Sequence, residues 1–185
     1  MTETAVREID FHEFRRRPAE ETRCELVAGR LIPMTPPDIE HGAVQLDLGF
    51  YLRAYLDDDF RGILGTEIDF PTLPLHGRRG DLIYLSADHT TEEDWERGYP
   101  LRPPDLVVEV VSAGAERRDY VEKLAEYALA GVGNYWIVDP HRKTVETYEL
   151  QGAAFTLLRR FGKVDILTSP LFPGLEIPLH RLFRR

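Results

Sequence analysis

The sequence contains a single cysteine, Cys24, among its 185 residues. One cysteine excludes a disulfide framework and a zinc site built from cysteine thiolates. The six histidines form neither an HExxH motif nor a paired spacing, so a zinc enzyme is not expected. The motifs GxSxG, GxxxxGK[ST] and GxGxxG are also missing. Their absence disfavours a hydrolase with a nucleophile elbow, a P-loop protein and a dinucleotide-binding protein.

Long apolar runs are missing as well. No stretch of the sequence approaches the ~18 consecutive apolar residues that a membrane-spanning helix requires. The first ten residues, MTETAVREID, carry acidic side chains and lack the apolar centre of a signal peptide. We therefore expect a protein of the cytoplasm that makes no contact with a membrane.

The chain has fewer basic than acidic residues. Lysine and arginine number 23 against 32 aspartate and glutamate residues, which gives a net charge of −9 and a pI near 5.2. Such a surface repels polyanions on average, which excludes a protein that coats nucleic acid without specificity. Nucleic acid as a substrate is still compatible with this charge, because a local basic patch or bound cations can overcome the average repulsion.

The length and composition are those of one globular domain. Hydrophobic residues make up 43% of the chain and charged residues 30%. We predict a single domain over residues 1–185, with a core at about 9–160 and a C-terminal extension of strand and tail at 161–185.

The pattern of apolar residues predicts many short elements. Helices are predicted at 10–16, 41–56, 90–97 and 119–130, and strands at 23–27, 30–34, 62–70, 81–85, 105–112, 135–138, 144–150 and 155–159. Strands with few interspersed helices favour an α/β (α+β) sandwich, in which a mixed central sheet is flanked by helices.

Glu109 is the acidic residue that most needs an explanation. It lies within the run LVVEVV at 106–111, which is apolar on both faces of the predicted strand and is therefore expected to be buried. A lone buried carboxylate costs several kcal/mol, so it must be neutralised, paired or bound to a metal. Two interpretations are open, a structural ion pair with an arginine and a metal ligand at the mouth of a cleft.

A metal site requires a second carboxylate close to Glu109. Asp105 lies about 13 Å away along the same strand, which is too far, because two oxygens on one magnesium ion lie within roughly 4 Å of each other. Asp81 opens the apolar run 82–85, 28 residues before Glu109, and this separation allows an adjacent strand. Neighbouring strands lie about 4.8 Å apart, which permits a shared cation. A carboxylate in a turn after Arg78-Arg79-Gly80 explains Asp81 equally well.

Three further residues are candidates with competing interpretations. Lys123, one of only three lysines, lies on a partly apolar helical face and could direct its ammonium group into a cleft. The alternative for Lys123 is a surface pair with Asp119, four residues earlier. Glu25 is either a site residue or a solvent-facing strand glutamate. His41 is either a site residue or an exposed residue at the start of a helix.

Several segments together resemble motifs of the Uma-two-type restriction endonuclease family, which lies within the PD-(D/E)XK nuclease superfamily. The resemblance covers roughly residues 9–160. The segments are ELVAGRL at 25–31, GDL at 80–82, PDLVVEVVS at 104–112 and the block 123–140, which contains a lysine, a tyrosine, Gly-Val and YWIVDP.

The resemblance implies a restriction-endonuclease-like fold and a divalent cation, Mg²⁺ or Mn²⁺, held by carboxylates. The first acid of the superfamily falls on Asp81 and the second on Glu109, and the carbonyl of Val110 is implied as a further metal ligand. Val111 occupies the position where the superfamily motif has a lysine. The resemblance places the compensating catalytic lysine on the following helix, at Lys123.

Two further positions follow from the same resemblance. Glu25 is implied as an additional catalytic residue that positions a second cation or a water molecule, and His41 lies near the implied cleft. Gly80 stands where the family has proline, a change expected to alter the turn before Asp81 but not the ligand.

The expected function is hydrolysis of phosphodiester bonds in nucleic acid, most simply DNA, by a metal-dependent endonuclease. Lys123 would orient the attacking water and stabilise developing negative charge. Four arginines flank the implied site in sequence and are expected to grip backbone phosphates. They are Arg78, Arg79, Arg117 and Arg118.

Two alternatives of other classes remain open. A catalytically silent nuclease-like module for DNA binding or protein assembly is favoured by the net charge and by Val111. A glycosidase with paired carboxylates is a weaker alternative, with Trp95 and Trp136 as sugar platforms. The apolar residues of the tail could pack within the chain or on a partner, so a homo-oligomer is a further expectation. These tail residues are Leu171, Phe172, Leu175, Leu182 and Phe183.

Overall fold

The computed structural model describes residues 7–18, 23–56 and 62–184. The helices are α1 (Phe11–Arg15), α2 (Ile39–Leu56), α3 (Glu92–Arg97), α4 (Leu124–Ala130) and α5 (Leu179–Leu182), with a 3₁₀ turn at Ala87–His89 and a π-helical turn at Arg118–Lys123 that runs into α4. The strands are β1 (Cys24–Val27), β2 (Arg30–Pro33), β3 (Gly62–Pro71), β4 (Gly77–Ser86), β5 (Leu106–Val110), β6 (Asn134–Asp139), β7 (Thr144–Gln151), β8 (Ala154–Gly162), β9 (Ile166–Ser169) and β10 (Phe172–Pro178).

Eight strands form one mixed sheet in the order β2-β1-β4-β5-β6-β7-β8, with β3 paired along β4. Strands β5 and β6 are parallel and are joined by the crossover that contains α4, whereas the other pairs of described strands are antiparallel. The predicted mixed sheet flanked by helices is therefore confirmed.

The pairing of β4 opens a gap in the sheet. Strand β3 pairs with β4 over its whole length. Strand β1 meets β4 only at Leu26↔Gly77, while β5 meets it from Leu82↔Val108 to Tyr84↔Leu106. Residues 78–81 of β4 thus lie between these two short ladders. This gap is where the acidic residues gather.

The sheet is covered on both faces. Strand alternation directs Leu82, Val108 and Trp136 to a core shared with α2 and with the segment from β9 to α5. The opposite face directs Ile83 and Val107 to a second core. This second core also contains Tyr127, Val132 and Tyr135.

The segment before Asp81 differs from its prediction. Arg78, Arg79 and Gly80 belong to β4, because the pairing with β3 extends to Gly77, so the predicted turn and the predicted strand start at Asp81 are wrong. A Cβ atom on Gly80 would lie 2.7 Å from Cγ2 of Ile83 and 3.1 Å from Cγ1 of Val107. Glycine at this position therefore leaves room for core side chains.

The C-terminal segment packs within the chain. Phe172, Leu175, Leu182 and Phe183 are buried in the core that α2 covers, and Leu171 packs against that core. These tail residues are therefore not available as a surface for a partner. Among the described residues, no helix combines the length and the apolar character that crossing a membrane requires.

Candidate active site

Asp81 and Glu109 lie just beyond the same end of the β4–β5 ladder, Asp81 within β4 and Glu109 within β5. The β4–β5 ladder ends at Leu82↔Val108, and the next residue of each strand is one of the two acids. The Asp81 carboxylate accepts a hydrogen bond from the backbone N–H of Val110, with 2.7 Å between Oδ2 and N. The structure therefore brings together the two acids that the sequence pattern paired.

Lys123 points into the same space. Its Nζ lies 2.8 Å from Oε2 of Glu109, 3.3 Å from Oε1 of Glu25 and 3.7 Å from Oδ1 of Asp119. Only 2% of the lysine side chain is exposed, so the alternative of a surface pair with Asp119 is wrong. Lys123 ends the π-helical turn, a type of irregularity that is frequent at functional sites.

Tyr127 holds the other oxygen of Glu109. Its hydroxyl donates to Oε1 of Glu109 across 2.6 Å, and both side chains are buried. Tyr127 follows Lys123 by four residues, which puts the two side chains on the same helical face. Glu109 is thus fixed from one helix through both of its oxygens, and it pairs with a lysine rather than with the arginine that the structural alternative required.

The pKa of Glu109 is raised to about 8, first because burial penalises its charged form. The ammonium group of Lys123 opposes this shift, while the carboxylates of Asp81, Asp119 and Glu25 add to it. Burial alone would lower the pKa of Lys123, but Glu109, Glu25 and Asp119 outweigh burial and raise it above the usual value. The pocket therefore has more carboxylate than its single lysine can neutralise.

Glu25 bridges Lys123 to a second buried ion pair. Arg78 donates from Nη1 to Oε2 of Glu25 across 2.9 Å and from Nη2 to Oε2 of Glu126 across 2.6 Å. Burial acts to raise the pKa of Glu25, yet Lys123 and Arg78 together lower it. The alternative of a solvent-facing Glu25 is wrong, since the residue is only 2% exposed. Arg78 is also buried, so it cannot grip a phosphate as expected.

Helix α2 contacts Asp81 from the other side of the gap. Nε2 of His41 lies 3.3 Å from Oδ1 of Asp81, and its Nδ1 lies 3.1 Å from Oγ of Ser112. One turn later, Gln45 donates to the backbone carbonyl of Asp81 across 2.8 Å. Helix α2 begins two residues before His41, at Ile39, and its first turn packs His41 against Asp81 and Ser112, where it is buried. The alternative of an exposed helix-end histidine is therefore wrong.

A cleft leads from solvent to these groups. Its floor is formed by buried or half-buried side chains, and its rim carries the exposed residues Arg23, Thr35, Pro37 and Glu67. Two of the four expected phosphate-gripping arginines, Arg79 and Arg118, line the cleft. Arg79 is held by Asp69 and Arg118 lies near Asp119. Arg117 instead pairs with Glu122 on the surface.

Three residues weighed in the sequence lie outside this cleft. Asp105 occupies the opposite end of β5, where its Oδ2 accepts from the backbone N–H of Ser86 across 2.7 Å. Trp136 is buried in the core and Trp95 lies on α3, so neither offers a sugar platform beside Glu109. The geometry therefore does not support the glycosidase alternative.

The carboxylates of Asp81 and Glu109 suit a cation that takes few ligands from the protein. Within residues 7–18, 23–56 and 62–184, no three side chains of His, Cys, Asp or Glu are grouped as metal ligands. Asp81 and Glu109 offer two carboxylates, and each ionised oxygen can accept a second partner beyond its present contact. Magnesium is often held by only one or two protein carboxylates, with waters and substrate phosphates as the other ligands. Two carboxylates in an acid-rich pocket fit such an ion.

A family model described as "Putative restriction endonuclease" matches residues 11–180. The chain belongs to the Uma2 family. The match extends beyond the expected 9–160 into the C-terminal segment, which agrees with the packing of that segment in the core. None of the curated proteins compared with this Uma2 chain matches it.

A solved structure shares the fold of this Uma2 protein. It is the crystal structure of a "putative nuclease belonging to DUF820" from Anabaena variabilis. The TM-score is 0.76 and the sequence identity 19%, over 95% of this chain and 98% of the other. At this identity the likeness concerns the fold.

The sequence missed several residues of the site. Glu126 forms a buried pair with Arg78 behind Glu25, and Asp119 borders the cleft rather than the surface. Tyr127 is the tyrosine of the 123–140 block, to which the resemblance assigned no role. The available signal was its position four residues after Lys123, which places a hydroxyl beside an ammonium group on one helical face.

Proposed function

We propose that this Uma2 protein is a metal-dependent endonuclease that hydrolyses phosphodiester bonds of nucleic acid, with DNA as the expected substrate. The observation that carries the proposal is the convergence of Asp81, Glu109 and Lys123 in one cleft. Membership in a family described as restriction endonucleases supports the same reaction.

The two acids would hold Mg²⁺ or Mn²⁺, with the carbonyl of Val110 as the proposed third protein ligand. A divalent cation bound there would polarise the scissile phosphate and stabilise the charge that develops on it. The N–H of Val110 already donates to Asp81. This hydrogen bond orients the Asp81 carboxylate beside β5 before any cation binds.

Lys123 is proposed as the catalytic lysine. Its ammonium group would orient the attacking water and stabilise negative charge on the phosphate. Glu25 is proposed as a positioning residue rather than as the holder of a second cation, because its oxygens face Lys123 and Arg78. Tyr127 would similarly fix the orientation of Glu109.

The rim of the cleft would contact the substrate backbone. Arg79 donates two hydrogen bonds to Asp69, so the phosphate contacts would fall to Arg23, which is exposed at the rim, and to Arg118, which is half-buried in the cleft. Guanidinium groups bind phosphates through directed hydrogen bonds. These cations are local, since the chain as a whole carries a charge of −9. The affinity should therefore fall only moderately as salt rises, because the salt dependence scales with the number of phosphates neutralised and few are contacted here.

One observation favours a second candidate, the catalytically silent module that binds DNA or assembles with partners. Both oxygens of Glu109 already have protein partners, Lys123 and Tyr127. A carboxylate satisfied in this way can serve structure alone. The two candidates differ in whether Asp81 and Glu109 bind a cation.

Plasmid cleavage in the presence of Mn²⁺ tests the proposal. We expect cleavage by the wild type and a loss of at least 100-fold in Glu109→Gln, whereas Asp105→Asn, at the other end of the same strand, should cleave normally. Calorimetry should show Mn²⁺ binding that disappears in Asp81→Asn. Cleavage by Glu109→Gln at the wild-type rate would overturn the nuclease assignment, and absence of both cleavage and Mn²⁺ binding would favour the silent module. The cytoplasmic location stays a prediction.

A further inference from the structure

Helix α2 carries apolar side chains on two faces, and the described residues cover only one of them. On the inner face, Val44, Leu48 and Leu52 are buried against the sheet. On the outer face, Leu46 is 75% exposed and Phe50 is 68% exposed. An apolar face of a helix normally packs against another element. Within the described residues, the outer face of α2 is therefore an apolar face that is largely uncovered.

The exposed residues of α2 form one continuous stripe. Ile39, Ala43, Leu46 and Phe50 are exposed and follow one another at spacings of four, three and four residues. This is the spacing of a seam between two packed helices. Single exposed apolar residues need no explanation, but a contiguous stripe marks an interaction surface. We name these four residues the α2 seam.

A glycine beside the seam points to close approach by another helix. Gly42 lies within α2, where glycine is less favourable than alanine. A Cβ atom on Gly42 would meet nothing within 4 Å, so packing inside this chain does not require glycine there. A glycine on an exposed helical face leaves a hole that a bulky side chain of another helix can fill.

We propose that the α2 seam is a homodimer interface in which two copies of α2 pack antiparallel about a two-fold axis at Leu46. In this arrangement, Phe50 of one copy lies opposite Gly42 of the other, so a large side chain meets a hole. A parallel arrangement would set Phe50 against Phe50. The antiparallel one also brings Glu40, near the start of each helix, towards Arg53 near the end of the other. A surface that fits itself in this way is what a two-fold dimer requires.

The surroundings of the seam also fit a second copy. Leu64 and Thr66 line a shallow groove on one side of α2, and Leu182 lines another on the opposite side. A ridge between two grooves can pack against its own copy, because each ridge enters a groove of the other. These flanks extend the contact towards the ~800 Å² per partner of a standard interface.

The charge around the seam disfavours a nucleic-acid strand as its occupant. The two grooves are bordered by four carboxylates and only two guanidinium groups, and carboxylates repel phosphates. The acids are Asp38, Glu40, Asp47 and Glu67, and the arginines are Arg53 and Arg184. The proposal does not rest on the nuclease assignment. The α2 seam is nevertheless connected to the cleft, because α2 also carries His41 and Gln45, which contact Asp81.

Sedimentation velocity of the full chain tests the interface. We expect the wild type at micromolar concentrations to have twice the 21.3 kDa mass of one chain. Leu46→Glu should raise the dissociation constant at least 100-fold. Val164→Glu changes an equally exposed valine in the turn before β9, and this control should remain dimeric.

A second variant separates loss of the dimer from loss of the fold. Gly42→Gln meets no atom within its own chain at Cβ, so its circular dichroism should show the helix content of the wild type, while the added side chain blocks the partner. In Leu46→Cys, a short bismaleimide should link the two chains, whereas Val164→Cys should stay unlinked. A monomeric wild type would overturn the proposal, as would a dimer that both Leu46→Glu and Gly42→Gln leave intact.

Discussion

Nζ of Lys123 lies 2.8 Å from Oε2 of Glu109, and neither side chain is more than 5% exposed. One residue comes from the end of a π-helical turn and the other from a central strand. The helical crossover between β5 and β6 brings them together. The superfamily motif expected by resemblance has this lysine on the strand itself, where the chain has Val111.

Replacing Lys123 by methionine should destabilise the fold strongly. The change keeps much of the side-chain volume but leaves Glu25, Glu109 and Asp119 without their shared cation. Breaking a buried pair in this way costs about 3–5 kcal/mol. Urea unfolding measures the loss, and Lys143→Met in the β6–β7 turn is the control. A Lys123→Met loss equal to that of Lys143→Met would contradict the buried pair.

Glu25 should contribute stability that depends on pH. Its pKa is lowered in the folded chain because Lys123 and Arg78 outweigh the effect of burial. A lowered pKa adds stability above the unfolded-state pKa of about 4.3, and this stability is lost as the pH falls through the folded value. The wild type should therefore melt higher than Glu25→Gln at pH 7, and the difference should shrink below pH 4. Glu93→Gln on α3, whose side chain is exposed, should show little difference at either pH.

Tyr127→Phe removes only the hydroxyl that Glu109 accepts. The ring should keep its packing against Phe70 and Tyr135. We expect a loss of about 1–2 kcal/mol in the free energy of unfolding, as for one buried hydrogen bond. If the nuclease proposal holds, kcat should fall while KM changes little, because the variant loosens Glu109 rather than the rim. Unaltered kcat in a variant of reduced stability would limit Tyr127 to a structural role.

Phe172→Ala tests whether the C-terminal segment belongs to the core. The ring of Phe172 contacts Tyr55, Tyr84 and Trp136 at centroid distances of 5.6, 5.0 and 5.9 Å. Truncating such a buried phenylalanine costs about 3–5 kcal/mol. Leu171→Ala, at the half-buried neighbour, should cost less. A chain that ends at residue 160 should fail to fold cooperatively in calorimetry, and a sharp transition of that shorter chain would show that the core is complete without the segment.

Local patterns were sufficient for much of the site. The apolar run around Glu109 predicted a central strand, and strand spacing then selected Asp81 over Asp105. The structure agrees, because the two acids follow the last pair of the β4–β5 ladder, one on each strand. Lys123 was expected in the site from a family resemblance. The predicted helix at 119–130 lies between β5 and β6 and directs the Lys123 side chain into the cleft.

Contacts distant in sequence were not predictable in the same way. The sequence predicted a helix that starts at His41, but α2 starts earlier, at Ile39, and packs its first turn over Asp81. Arg78 follows a Pro- and Gly-rich stretch typical of turns, yet pairing with β3 keeps it in a strand. Its burial beside Glu25 and Glu126 depends on three separate elements. Such a network is set by tertiary packing, which neither propensity nor periodicity encodes.

The two short ladders along β4 have a consequence for aggregation. Strand β1 is attached to β4 by the single pair Leu26↔Gly77, and α1 supports it by packing Phe11 against Gly77. Loss of α1 would free the β1–β2 hairpin and uncover the backbone donors and acceptors of β4 beside it. An uncovered strand edge recruits strands from other molecules. We therefore expect α1 to protect this edge of β4 from pairing with strands of other molecules, a role that is separate from the chemistry of the cleft.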